Sequence, residues 1–348
     1  MQIQSLIEQY KPLLIKHYAG QISPHQWQAL HALQRCRTRD SGELQMQCTQ
    51  CEQHQWQPLS CGHRSCPMCQ NHEATQWLDR QKKKQLPVDY FMATFTLPSQ
   101  LRSLVKQNQK TIYNLFFACV CSTLKDFGLN PDNLGAEMGF TAVLHTHSRR
   151  LDYHPHIHVV LPGGGVDKKR KQWKKIKGQY LFNEFALAKV FRARFIATLK
   201  QAGFKVPEIT PKKWVANVRH VGNGLPALKY LSRYLYRGVI SEKNIIANKE
   251  GQVTFKYTDS QTKKTETRTL KGETFLYLLL QHVLPTGFRR VRDYGFLHAN
   301  AKRLLALVHW VLKVCIEETP PRSRPVFKCK QCQSPMVIKS IRQTSPSG

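Results

Sequence analysis

His154-Pro155-His156-Ile157-His158-Val159-Val160-Leu161 alternates imidazoles with an apolar side chain and then runs into β-branched residues. A strand puts residues two apart on one face, so His156 and His158 point one way and Ile157 the other. The apolar flank makes this a buried strand. Buried imidazoles need a partner, and a divalent cation is a suitable one. The preceding run, Phe140–His147, reads as a second strand, joined to the first by Ser148-Arg149-Arg150-Leu151-Asp152-Tyr153. Its His145 and His147 share a face. His145 lies deeper in the apolar run, after Val143-Leu144, and is the expected third nitrogen; His154, beside Pro155, reads as a loop residue.

Working outward, Tyr90–Leu97 reads as a strand stopped by Pro98, and an apolar helical block covers about 100–127. Asn183 caps a helix running to about Gln201, with Gly203 just past its end. Trp214–Val221 reads as a strand. Val253–Thr258 and Thr265–Thr269 alternate around a polar turn and predict a hairpin. Helical patterns near 273–283 and 298–316 precede a Pro/Arg-rich tail. At the other end, Ser23-Pro24-His25-Gln26 starts a helix with a cap, a proline at the first position and a glutamine three after the cap. Strands and helices mixed so irregularly predict an α+β fold, an antiparallel sheet flanked by helices. The expected domains are 1–85 (a helical segment plus a cysteine-rich module), 86–300 (the histidine domain) and 301–348 (a C-terminal helix and basic tail).

Tyr230-Leu231-Ser232-Arg233-Tyr234 falls in a helical pattern over Leu225–Arg237, so Tyr230 and Tyr234 lie one turn apart on one face. Tyr236 points away and reads as core. Lys229, Arg233 and Arg237 interleave with the pair as candidate phosphate contacts. A phenol has a pKa near 10, so it needs help to attack at neutral pH, and a cation that polarises a phosphate gives some. The expected chemistry is DNA nicking by tyrosine, with Mg²⁺ or Mn²⁺ as cofactor. The 5′ phosphate would stay on the tyrosine and the 3′ hydroxyl would be freed.

Composition points to the same partner. Lys plus Arg total 53 against 22 acidic residues in 348, a formal charge of +31. That excess predicts a polyanion, and nucleic acid is the default. Arg149, Arg150, Lys168, Lys169, Arg170 and Lys171 are candidate DNA contacts, with Trp173 a candidate for stacking on a base. No run of about 18 apolar residues exists, so no membrane span is expected. The N-terminus lacks the pattern of a secretory signal, and a cytoplasmic location is expected.

Eleven cysteines in a reducing compartment argue for metal thiolates over disulfides. Cys48-x-x-Cys51 and Cys66-x-x-Cys69 together predict a tetrahedral structural Zn²⁺ site. Cys36, Cys61, His54 and His63 are near enough to complete a second site or to substitute in the first. Cys329-x-x-Cys332 is half a site without an identified partner. Cys119, Cys121 and Cys315 read as buried thiols.

The chain resembles the HUH-type transposases of rolling-circle insertion sequences, the IS91-like group, from about Cys36 to Gly295. The resemblance rests on Ser65-Cys66-Pro67-Met68-Cys69-Gln70, Phe95-Thr96-Leu97-Pro98, Leu144-His145-Thr146 and Tyr153-His154-Pro155-His156-Ile157-His158. It continues through Pro162-Gly163-Gly164-Gly165, the Tyr230–Tyr234 segment, His282-Val283-Leu284-Pro285 with Gly287-Phe288, and Tyr294-Gly295-Phe296-Leu297. It implies a single-strand-specific endonuclease and strand transferase acting at transposon ends. The family's paired histidines correspond to His156 and His158, and its catalytic tyrosines to Tyr230 and Tyr234. Two other readings compete: a zinc-dependent DNA-binding protein without chemistry, and a metallohydrolase that activates water. A tyrosine pair on a basic helix favours the nickase.

Overall fold

The computed structural model describes residues 2–66, 68–176, 178–236, 239–259, 262–315 and 326–343, with backbone alone at Asn71, Tyr234 and Tyr236. The chain forms two units, one of Ala74–Leu235 with Leu284–Ile316, the other of Met1–Glu73, Tyr236–Val283 and Glu317–Gly348. The cuts at 85/86 and 300/301 expected from the sequence follow composition. The units instead gather segments far apart in the chain.

The first unit is built on a five-stranded sheet in the order Val291–Tyr294, Phe140–His147, Tyr153–Pro162, Tyr90–Thr96, Val215–His220. Every neighbouring pair is antiparallel. The fold is therefore α+β with an antiparallel sheet. Ile157, Phe95 and Leu144 turn to one face, where the helices Gln109–Leu129 and Glu184–Gln201 cover them with Phe116, Phe191 and Phe195. Phe95 meets Phe191 edge-on at 5.1 Å between ring centroids. Fully burying one such ring stabilises the fold by roughly 1.5–3 kcal/mol. Alternation then leaves His156 and His158 on the other face.

Local sequence explains the ends of these elements. Asn183 Oδ1 accepts from the Ala186 N–H at 2.9 Å and caps the Glu184–Gln201 helix. The predicted 100–127 block is two helices, Arg102–Gln107 and Gln109–Leu129, broken at Asn108. Between the two histidine strands, His145 pairs with His156 but His147 pairs with Tyr153, a register shift of one residue. Pro155, which has no N–H to donate, sits in that bulge. Gly295 has φ of +58° and a Cβ there would lie 1.7 Å from the Met138 carbonyl oxygen, so only glycine fits.

The basic loop 168–177 belongs mostly to a hairpin, with Gly164–Asp167 paired to Gln172–Lys175. Trp173 is partly buried there and packs edge-on against Phe296, 5.9 Å between centroids. That contact gives Trp173 a packing role in this fold.

In the second unit, Pro24–Arg35 begins as expected, with the Ser23 N–H donating to Gln26 Oε1 at 2.8 Å. The predicted hairpin is present as Gln252–Thr258 with Thr265–Lys271, and Ile245–Lys249 adds a third strand. A second sheet has the order Met336–Arg342, Glu43–Cys48, His54–Pro58. The tail is thus not a separate region: its last strand pairs with the cysteine-rich head. No helix among the described residues is long and apolar enough to cross a membrane.

Candidate functional site

Three imidazoles meet on the other face of the five-stranded sheet, opposite the Gln109–Leu129 and Glu184–Gln201 helices. His145 lies 5.1 Å from His156 and 4.5 Å from His158 between ring centroids, and His156 lies 4.9 Å from His158. One ring nitrogen from each falls within 4.8 Å of the others. His147, though buried, is not in this cluster: beyond the bulge it lies opposite Tyr153 and not opposite a histidine.

Two of the rings are held by groups the sequence reading missed. The His156 Nδ1–H donates to the His154 carbonyl oxygen at 2.7 Å, which leaves the Nε2 lone pair available. His154 therefore matters through its backbone, and it lies in the strand, not in a loop. Thr94 Oγ1 stands 2.9 Å from His158 Nδ1, directly across the strand pair. A His158 that donates Nδ1–H to that hydroxyl presents Nε2 to a cation, the usual way an outer partner orients a metal-binding imidazole. The signal for Thr94 was present in the alternation Met92-Ala93-Thr94-Phe95-Thr96, but nothing local says which strand it faces.

Burial disfavours the charged imidazolium. It pushes His145 and His156 well below the ordinary 6.5, with the neighbouring His158 adding to the effect, and it lowers His158 to about 4. At neutral pH the three rings are uncharged, the state in which an imidazole can ligate a metal. Three neutral nitrogens, with no carboxylate grouped with them among the described residues, fit a borderline cation, so manganese suits the set better than magnesium.

Tyr230 approaches from the helix Leu225–Tyr236, its ring 6.2 Å from His145 and 5.9 Å from His158. It is 36% exposed, open to a substrate and still against the cluster. Burial raises its phenol above 10, and the Arg149 guanidinium opposes that rise. Behind it, Ser232 Oγ donates to the Ala74 carbonyl at 2.8 Å and fixes the rotation of the helix. Tyr234 is one turn further on in the same helix. Its side chain, that of Tyr236, and all of Arg237 lie outside the described residues. Arg149, Arg150 and Arg233 are exposed. Lys168, Lys169, Arg170 and Lys171 form the exposed turn of the separate hairpin, where Lys168 pairs with Glu137.

The cysteines group differently from the sequence expectation. Cys66 and Cys69 join Cys36 and Cys61, while Cys48 and Cys51 stand beside Cys329 and Cys332. The two early Cys-x-x-Cys pairs do not share a site. In the first group Cys36 Sγ lies 3.2 Å from Cys69 Sγ and 3.5 Å from Cys66 Sγ, and Cys61 Sγ lies 3.6 Å from Cys69 Sγ. A disulfide would bring sulfurs to about 2.05 Å. Four thiolates around zinc stand about 3.8 Å apart, from a Zn–S distance near 2.3 Å, and the group fits that geometry. His54 and His63 are outside both groups; His63 Nδ1 accepts instead from the Ser65 N–H at 3.2 Å. Cys119 is buried as expected, but Cys315 is exposed because its helix ends at Val311.

The chain is also similar to known proteins. Residues 6–97 match the family model described as a transposase zinc-binding domain, and residues 139–304 match one described as "Putative transposase". The chain is 32% identical over 299 residues to "Putative transposase y4qJ" of Sinorhizobium fredii, spanning 79% of this chain and 75% of that protein. The chain belongs to the IS91-like transposases. It is also 25% identical over 315 residues to the transposase for insertion sequence element IS801 of Pseudomonas savastanoi pv. phaseolicola, spanning 80% of this chain and 74% of that one. No solved structure is a significant match to this transposase. The histidines and Tyr230 fall inside the matched transposase segment, and the Cys36, Cys61, Cys66, Cys69 group falls inside the matched zinc-binding domain.

Proposed function

We propose that this transposase nicks and rejoins single-stranded DNA at transposon ends through a 5′-phosphotyrosine intermediate, in transposition of the rolling-circle type. The observation that carries the reading is a half-exposed phenol, Tyr230, set against three neutral, clustered imidazoles. His145, His156 and His158 would hold Mg²⁺ or Mn²⁺, which when bound polarises the scissile phosphate and offsets its developing charge. Tyr230 Oη forms the new bond to phosphorus as the bond to the 3′ oxygen breaks. The phenolic proton passes to water, and water returns one to the departing 3′ oxygen, which leaves as a hydroxyl. Arg149, whose charge already acts on the Tyr230 phenol, favours the deprotonated form. Rejoining reverses the step with no nucleotide cofactor, because the phosphotyrosine bond retains the energy.

Tyr234, one helical turn from Tyr230, is the second nucleophile in this reading. One tyrosine then holds the first cleaved end while the other attacks the second. The strand is held by Arg149, Arg150, Arg233, Arg237 and the Lys168–Lys171 turn. The zinc-binding domain contributes to recognition of the element's end.

The test is cleavage of a single-stranded transposon-end oligonucleotide with added Mn²⁺. His156→Ala and His158→Ala should each reduce cleavage by at least 100-fold and leave binding within a few-fold, since the imidazoles make no strand contact in this account. Cleavage that persists in both variants with chelator present would remove the metal from the mechanism.

A further inference from the structure

Cys48 ends the strand Glu43–Cys48, with Cys51 in the turn after it, and Cys329 and Cys332 lie in the turn before the strand Met336–Arg342. The two strands pair antiparallel, with Cys48 opposite Met336. Cys48 Sγ and Cys51 Sγ each lie 3.4 Å from Cys332 Sγ, and Cys51 Sγ lies 3.6 Å from Cys329 Sγ. These are separations of thiolates around one ion, well beyond a disulfide and close to the roughly 3.8 Å of a tetrahedral zinc site.

The two turns are conformational copies. The Cys48 N–H donates to the Gln53 carbonyl at 2.9 Å, and the Cys329 N–H donates to the Ser334 carbonyl at 2.9 Å. The fourth residue after the first cysteine is left-handed in both, Glu52 at φ +57° and Gln333 at φ +61°. The N–H groups of Gln50 and Cys51 point at Cys48 Sγ at 3.4 and 3.5 Å, and backbone hydrogen bonds from Cys332 and Gln331 reach the Cys329 sulfur in the same way. Backbone N–H donation to sulfur favours the thiolate. Each turn thus has the conformation that prepares two sulfurs for a metal, and the pairing of the strands aims both at one point. Among the described residues, Met46 and Met336 complete the small buried cluster beneath the sulfurs, with Leu44 packed against it. So little apolar surface cannot hold two turns together by packing alone.

We propose that Cys48, Cys51, Cys329 and Cys332 bind a second structural zinc ion, which fastens the C-terminal segment to the cysteine-rich head. The matched zinc-binding domain ends at residue 97, so half of this site lies outside it. The ion closes a loop of 278 residues between Cys51 and Cys329, and the site is complete only once nearly the whole chain exists. The inference is independent of the nicking chemistry, because it concerns zinc content alone.

The test counts zinc in the full-length chain by native mass spectrometry. Two ions per chain are expected. Cys329→Ser with Cys332→Ser should leave one, Cys48→Ser with Cys51→Ser should leave one, and all four changes together should still leave one. One ion in the unaltered chain would overturn the proposal, as would two ions retained without Cys329 and Cys332, or none left when all four are changed. A measurement on the unaltered chain guards against variants that fail to fold. With zinc bound, Cys48, Cys51, Cys329 and Cys332 should resist alkylation, and all four should become reactive together as chelator removes one equivalent. Free reactivity of Cys329 and Cys332 in the zinc-loaded protein would overturn it too.

Discussion

The orientation of two of the three imidazoles depends on groups that the sequence alone does not identify. His156 is oriented by the carbonyl of His154, two residues away, while His158 depends on Thr94, sixty-four residues earlier. The histidines themselves were legible because strand periodicity is local: His156 and His158 had to share a face once Ile157 was assigned to the core. Their outer partners were not, because pairing across strands depends on register, and the one-residue bulge at Pro155 changes register within the motif. Thr94→Val keeps the shape of the side chain and removes its hydrogen bond. We expect it to weaken Mn²⁺ binding about 10- to 100-fold, as loss of such a partner does elsewhere, with the sheet intact. Calorimetric titration checks this, and unchanged affinity would show that His158 is oriented by packing alone.

At the scale of elements, the strands and helices that carry the site follow from short-range signals. The Phe140–His147 strand, the Asn183 cap and the tyrosine helix are each set by residues within one turn or one alternation. The Val291–Tyr294 edge strand and the Gly164–Asp167 hairpin were not legible, being short and held by partners distant in sequence. The Glu184–Gln201 helix buries Leu187, Phe191 and Phe195 under the sheet, so its start affects the support of the histidine strand. Asn183→Ala removes the cap bond to Ala186. The expected loss is about 1 kcal/mol of stability in urea unfolding, with the nicking rate per folded molecule unchanged. A fall in that rate would mean that the helix positions the site more directly than its packing indicates.

For the whole molecule, the charge of +31 and the cysteines have different reach. Charge needs no fold to be read, and a polyanionic partner was legible from composition. The metal geometry was not. Neighbouring Cys-x-x-Cys pairs suggested one site, but each found its partners elsewhere, Cys51 with Cys329 across 278 residues. Binding to a single strand should weaken steeply with salt, since each neutralised phosphate adds about 0.7 to the slope of log affinity against log salt. Changing Lys168, Lys169, Arg170 and Lys171 together to Ala should flatten that slope without changing sequence preference, as fluorescence anisotropy would report. A loss of preference at constant slope would place those residues on bases instead of phosphates. The most direct measurement of the central claim is a denaturing gel of the transposase incubated with Mn²⁺ and a transposon-end strand labelled on the 3′ side of the nick, followed by mass mapping of the labelled peptide. The account predicts a covalent adduct on Tyr230 or Tyr234 that is lost in the Tyr230→Phe, Tyr234→Phe double variant. A nick without any adduct, or an adduct that survives in the double variant, would contradict it.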